Sequence, residues 1–118
     1  MEYLTENFSK EEFACKCGCG KATVSKDLLE ALELLRCVVD RPVRINSGCR
    51  CDRHNASVGG ASGSQHLFGR AADVVVSGVP PIAVGWIART LGCFSGVKVY
   101  NNWTHLDVRE GKRFYQGF

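Results

Sequence analysis

No stretch of this sequence approaches the ~18 consecutive apolar residues that a membrane-crossing helix needs, so a transmembrane segment is excluded. The opening residues, Met1-Glu2-Tyr3-Leu4-Thr5-Glu6-Asn7, have neither a basic start nor an apolar run, and no signal peptide is expected from them. Proline is scarce, at 3 residues, and the 13 glycines follow no period, which excludes collagen-like and low-complexity chains. No internal repeat is found either, and disorder is excluded with them. Charge of a single sign is lacking too. Fifteen Lys and Arg against 12 Asp and Glu leave a net charge of +3, and nowhere do bases interleave with aromatics as in a nucleic-acid groove. No nucleic-acid partner is therefore expected. At most the charge favours approach to an anionic surface such as a cell wall.

What is there is an ordinary globular balance. The 118 residues are 45% hydrophobic and 23% charged. Such a chain forms one domain, 1–118, and buries about two-thirds of its unfolded surface. Cysteine alone is abundant, at seven. An odd number cannot all pair within one chain. Cys15, Cys17 and Cys19 form one group and Cys49 and Cys51 another, and residues two apart are poorly placed to bridge each other. Disulfides between the groups, a structural metal site drawn from Cys15, Cys17, Cys19 and Cys51, and reduced thiols all remain open. Cys37 and Cys93 read as small buried hydrophobes.

Ser9 can cap a short first helix, with Glu12 at the reciprocal capping position and Phe8 and Phe13 at the staple positions. The Cys/Gly run from Cys15 to Gly20 breaks it, leaving 1–24 as a Cys-containing segment packed on the rest. Ser25 caps a second helix running to about Val38, with Leu28, Leu32, Leu35 and Val39 on one face. Val43-Arg44-Ile45-Asn46 reads as a strand, and residues 47–72 as a long polar, Gly-rich loop of the kind that usually carries function. Asp73-Val74-Val75-Val76 is the next strand. Pro80-Pro81 opens a helix that closes at Gly92 and places Trp86 in the core. Val97–Tyr100 and Thr104–Val108 form a hairpin around Asn101-Asn102. Helices mixed with antiparallel strands give an α+β fold, a small antiparallel sheet with helices packed against it.

Chemistry concentrates in three segments: Asn46-Ser47-Gly48-Cys49-Arg50, Ser64-Gln65-His66-Leu67-Phe68-Gly69-Arg70-Ala71-Ala72-Asp73, and Trp103-Thr104-His105-Leu106-Asp107-Val108-Arg109. Strand alternation puts His105, Asp107 and Arg109 on one face and Leu106 and Val108 on the other. If the apolar pair faces the core, His105 and Asp107 face water or a ligand. Asp73 opens a valine-rich strand, where a carboxylate is costly unless paired or metal-bound. Two imidazoles and one carboxylate, from His66, His105 and Asp73, suffice for a catalytic zinc with an open fourth position. His54, in the same polar loop, is a ligand or only a surface residue.

At these residues the chain resembles a known family. Ser-x-His-x2-Gly-x-Ala-x-Asp followed by His-x-Asp on a strand is similar to the zinc D-Ala-D-Ala carboxypeptidases and peptidoglycan peptidases. That family includes phage endolysins and shares its fold with the hedgehog signalling domain. The Cys-Lys-Cys-Gly-Cys-Gly, Ser-Gly-Cys-Arg-Cys and Thr-His-Leu-Asp-Val-Arg segments are similar to small phage-encoded members. The resemblance implies a zinc ion held by His66, Asp73 and His105, with Arg50 gripping the scissile carbonyl or a substrate carboxylate. Ser64 would line the substrate site with Gln65 beside it. It further implies a lytic peptidase acting on peptidoglycan stem peptides or cross-links, held in a host cytoplasm before lysis or carried on a virion if phage-encoded; monomer is the default state for so small a lytic enzyme.

One departure affects the proton carrier. Many relatives have an acidic residue three positions before the second histidine ligand, where this chain has Asn102, and an amide cannot shuttle a proton. Asp107, on the face of His105, is the candidate base, against the alternative of orienting a ligand imidazole. The same departure feeds a rival reading, a zinc-bearing binding module without turnover. Tyr100 and Trp103 read as core or rim packing rather than substrate stacking. Lys98 reads as the solvent face of an edge strand.

Overall fold

Residues 2–118 are described by the computed structural model. Ser9 precedes a four-residue helix, α1 (Lys10–Phe13), and its backbone N–H donates to Glu12 Oε2 at 2.6 Å, which closes the expected capping contact. Phe8 and Phe13 meet at 6.1 Å between ring centres, both fully buried. Ser25 caps α2 (Lys26–Val39) by accepting from the Leu28 N–H, and Asp40 ends it in the left-handed conformation. Leu28, Leu32 and Leu35 form the buried stripe. Cys37 lies on the opposite side of the helix from Leu35 and is exposed, against the expectation that it is buried, while Cys93 is half-buried and packs against the core.

The sheet contains β1 (Val43–Ser47), β2 (Ala71–Val76), β3 (Gly96–Val99), β4 (Thr104–Asp107) and β5 (Phe114–Gln116), in the order β1-β2-β4-β3-β5. The first four strands pair antiparallel; β5 adds to β3 in parallel and was not visible in the sequence pattern. Lys98 therefore sits on an interior strand, not an edge. One sheet face carries Ile45, Val74, Val97 and Leu106, and against it pack α2 and α4 (Pro81–Leu91) in one hydrophobic core. Trp86 is 50% exposed, against the expectation that it is core. The face of α4 that meets the sheet is Val84, Gly85 and Ala88, because close approach needs small residues: a Cβ at Gly85 would crowd Val99 and Phe118. Trp86 packs instead edge-on against Phe118, 4.9 Å away.

The other sheet face is left to the segment between β1 and β2. That segment is not the continuous loop the composition suggested. It holds a short helix, α3 (Asp52–Ser57), capped by the Cys51 sulfur, and a 3₁₀ turn at Gln65–Phe68 capped by Ser64.

The N-terminal arm is pinned to α2 through Glu33, whose carboxylate accepts from the Asn7 N–H at 2.7 Å and the Asn7 side-chain amide at 2.6 Å. Burial pushes the Glu33 carboxyl up, but the contacts from Asn7 outweigh it and hold it below the ordinary value of 4.5. A depressed folded value stabilises above the unfolded one and is lost as pH falls through the folded value. Glu33→Gln is expected to cost about 0.5–1 kcal/mol at neutral pH, where water screens the pair. The gap to the parent should close in thermal melts below pH ~4.

Candidate metal centre

Sheet register assembles the site. Asp73 of β2 stands opposite His105 of β4, which stands opposite Lys98 of β3, so three side chains form one row across the face away from the core. The next row is Ala71, Asp107 and Gly96. A bulge between Ile45 and Ser47 in β1 brings Ser47 opposite Asp73.

His66 reaches this row from the 3₁₀ turn. Gly69 ends that turn at φ +67°, and a Cβ there would press on the Thr23 carbonyl, so the close approach needs glycine. His66 is 3% exposed, its Nδ1 is 2.7 Å from the Gly48 carbonyl, and its Nε2 is 3.3 Å from Asp73 Oδ1. His105 is reversed. Its Nε2 is 2.7 Å from Asp107 Oδ2, and its Nδ1 is 3.1 Å from Asp73 Oδ1.

These contacts fix the tautomers. The Gly48 carbonyl and the Asp107 carboxylate can only accept, so each ring puts its N–H on the outer nitrogen. Neutral imidazoles then turn two bare lone pairs, His66 Nε2 and His105 Nδ1, towards an anionic carboxylate oxygen. The three donor atoms lie within 4.8 Å of one another. With neutral rings, a metal cation between them satisfies all three at once; without one, a second proton on an imidazole takes the cation's part. Two imidazoles and a carboxylate, each imidazole oriented by a hydrogen bond at its other nitrogen, are a donor set that fits zinc.

Without a metal, the two carboxylates draw positive charge onto His105. Burial pushes the Asp73 carboxyl up, but contacts from His105 and His66 overcome it and hold it well below the usual carboxylate range. Burial pulls His105 down, and Asp107 and Asp73 more than reverse this, so its value is raised.

The geometry corrects the surroundings expected for Asp107. This residue was the candidate base on a wet face, yet its side chain is fully buried. Arg109 grips it in a fork, Nε to Oδ1 at 2.9 Å and Nη2 to Oδ2 at 2.6 Å, and the Arg109 N–H adds a third bond at 3.2 Å. Burial raises the Asp107 carboxyl, but Arg109 and His105 outweigh it and hold it well below the usual range. A carboxylate with both oxygens engaged, no access to solvent and little affinity for a proton is suited to orienting His105 rather than to carrying a proton.

Over the row lies a cavity of about 540 Å³. His66, Asp73 and His105 lie at its floor, Ser64 and Gln65 with the glycine-rich stretch 58–63 form one wall, and Lys98, Tyr100 and Trp103 form the other. Arg50 also lines it, 15% exposed, and is already engaged by Ser47 Oγ at 3.3 Å, Asn55 Oδ1 at 3.2 Å and Asp73 Oδ2 at 3.4 Å. Tyr100 and Trp103 stack on each other with ring centres 4.6 Å apart, at the cavity rim. His54, on α3, and Asn102, in the hairpin turn, do not line the cavity. Sequence reasoning left Lys98 without a function and gave no role to Gly48, Asn55, Gly96 or Arg109. Only the paired register and the turn geometry bring those residues to the centre.

The remaining potential donors form a second group, the sulfurs of Cys15, Cys17, Cys19 and Cys51. Cys49 points away into the protein and is buried.

Comparison with known proteins gives two matches. The family model described as Peptidase M15 matches residues 6–107. The zinc D-Ala-D-Ala carboxypeptidase of Streptomyces albus G is 34% identical over 77 residues, a match covering 62% of this chain and 30% of that protein's length.

Proposed function

This chain belongs to the peptidase M15 family, and on that premise we propose that it is a zinc-dependent hydrolase of peptide bonds in bacterial peptidoglycan stem peptides or cross-links. The observation that carries this reading is the convergence of His66 Nε2, Asp73 Oδ1 and His105 Nδ1 on one point at the floor of an open cavity. Those three atoms would hold the ion. Zinc in such a site supplies a Lewis acid that polarises a carbonyl and lowers the pKa of a water to about 7.

The chain's own residues do the rest. Gly48 and Asp107 fix the two imidazoles, so the donors are in place before substrate arrives. Arg50 is preoriented by Ser47 and Asn55, and presents a planar cationic fork beside the donors, suited to a carbonyl or carboxylate oxygen. Lys98 stands on the far side of the donor row, its ammonium 4.9 Å from the Tyr100 ring centre. With Arg109 paired to Asp107 and Arg50 paired to Asp73, Lys98 is the cation lining the cavity that no carboxylate pairs among the described residues, and it gives the cavity a positive character. Stem peptides, rich in carboxylates, complement it. Ser64 and Gln65 line the opposite wall. A lytic role of phage type belongs to the same proposal and rests on the motif resemblance.

A second reading, a zinc-bearing recognition module, is favoured by one observation. Asp73 is the only carboxylate among the described residues lining the cavity, and Asn102 lies outside it. Incubating the zinc-loaded chain with purified peptidoglycan separates the two. New free amines in the digest support the peptidase; binding without any release supports the module. Lys98→Met is expected to raise KM by about tenfold or more, the worth of a charged hydrogen bond, with zinc content unchanged.

A further inference from the structure

The peptidase reading uses none of the cysteines, yet four of their sulfurs come together at the surface beside the Arg50 loop. Those of Cys15, Cys17, Cys19 and Cys51 all lie within 4.8 Å of one another. Cys15 is 3.5 Å from Cys17 and 3.8 Å from Cys51, and Cys17 is 3.7 Å from Cys51. A disulfide needs ~2.05 Å. A tetrahedron of sulfurs around zinc at ~2.3 Å has edges of about 3.75 Å, close to these three separations.

The local chain is built to produce this convergence. In an extended strand, Cys15, Cys17 and Cys19 would spread along one face at ~6.6 Å intervals. Here Gly18 and Gly20 take φ of +82° and +90°, Gly18 N–H bonds back to the Cys15 carbonyl at 3.2 Å, and Cys15 N–H bonds to the Lys21 carbonyl at 2.7 Å. The segment closes into a knuckle that presents all three sulfurs on one side. Cys51 arrives from the sheet side of the molecule. Backbone N–H groups point at the sulfurs: Cys51 N–H at Cys15 Sγ and His54 N–H at Cys51 Sγ, each at 3.4 Å. Such donors stabilise thiolates. Four neutral thiols, being weak donors and acceptors, would gain little from this packing.

We propose that Cys15, Cys17, Cys19 and Cys51 bind a second zinc ion, in a closed tetrathiolate centre that anchors the Arg50 loop to the N-terminal arm. With sulfur in all four positions no site is open for water or substrate, so the role is structural. The anchoring follows from connectivity. Cys51 succeeds Arg50 directly, Cys49 N–H donates to the Phe13 carbonyl at 2.8 Å, and Lys21 Nζ donates to the carbonyls of Arg50 at 3.3 Å and Leu67 at 2.9 Å. Arm, loop and the turn carrying His66 thus meet beside the four sulfurs.

The test uses the full chain carrying His66→Ala, purified reduced in the presence of zinc alone. This disables the donor row and leaves every cysteine in place, so no cysteine variant has to fold. The expected result is one zinc per chain, against two in the parent. Replacing it with Co²⁺ should give the intense sulfur-to-metal charge-transfer absorption of a tetrathiolate. Titration of the parent with a mercurial thiol reagent should release one zinc and open the 1–24 segment to limited proteolysis. A metal-free His66→Ala chain, a cobalt spectrum without the thiolate band, or iron preferred when both metals are supplied would each overturn the assignment. An arm that stays protease-resistant after the zinc has left would overturn the anchoring role.

Discussion

Asp73→Asn is expected to abolish zinc binding at the donor row and, with it, all hydrolysis, while the chain remains folded. The substitution keeps side-chain volume, and its amide oxygen can still accept from Arg50, 3.4 Å away at Oδ2 in the parent. What disappears is the negative charge at Oδ1, towards which His66 Nε2 and His105 Nδ1 both point. An amide that turns its NH₂ to the row would donate to one imidazole lone pair and so occupy the atom that zinc needs. One that turns its oxygen there leaves a neutral and weakly ligating trio. Either way the site loses its anion. The folding cost is the loss of the contacts that His66, His105 and Arg50 make with the carboxylate. The cost of leaving Arg50 without its anionic partner is about 1–3 kcal/mol, reduced by the contacts Arg50 keeps with Ser47 and Asn55. Zinc content by elemental analysis, beside a thermal melt, checks this. Full zinc occupancy of the donor row in the variant would show that Asp73 is not a ligand.

The residues that would hold this metal were marked in the sequence partly by the motif resemblance and partly for a physical reason. A carboxylate at the head of a valine run and a His-x-Asp on an alternating strand are both expensive placements, and expense without a local partner advertises a ligand. The helices were legible because Ser9, Ser25 and Gly92 act locally. The rest depends on contacts between distant segments. Trp86 was misplaced because periodicity reports that a helix has an apolar face but not how closely it must approach a sheet, and Gly85 decides that. α3 was hidden because its cap is a cysteine and its six residues are too few for a periodic signal. β5 was hidden because a three-residue parallel strand needs no turn signature; it also moved Lys98 from a supposed edge to an interior strand that faces the cavity. Among the cysteines, the sequence reading set Cys51 rather than Cys49 beside Cys15, Cys17 and Cys19, and the backbone direction after β1 turns Cys49 inward and Cys51 towards Cys15.

Asp107 supplies the second large effect, because its burial was the least visible feature of the site. Parity put it on the face of His105, which is correct, but the wet surroundings that would suit a base are absent. The carboxylate lies over Gly96, whose missing side chain makes its room: a Cβ there would overlap Asp107 Cγ and both oxygens. Asp107 cannot swing aside without breaking the Arg109 fork or its bond to His105. Gly96→Ala is therefore expected to destabilise the fold by about 1–3 kcal/mol through overpacking. It should also weaken zinc binding by roughly 10–100-fold, as loss of an orienting partner does. Asp107→Asn separates orientation from proton transfer without adding volume. If its amide oxygen faces Arg109, its NH₂ meets His105 Nε2–H, and the ring escapes by moving its proton to Nδ1, the nitrogen that faces the metal. An orienting Asp107 then predicts a 10–100-fold loss of zinc affinity in chelator competition and substantial recovery of kcat when zinc is saturating. A proton-carrying Asp107 predicts the reverse, unchanged zinc affinity and a kcat that excess zinc does not restore. The fully enclosed carboxylate, clamped by Arg109 and His105, points to the first outcome.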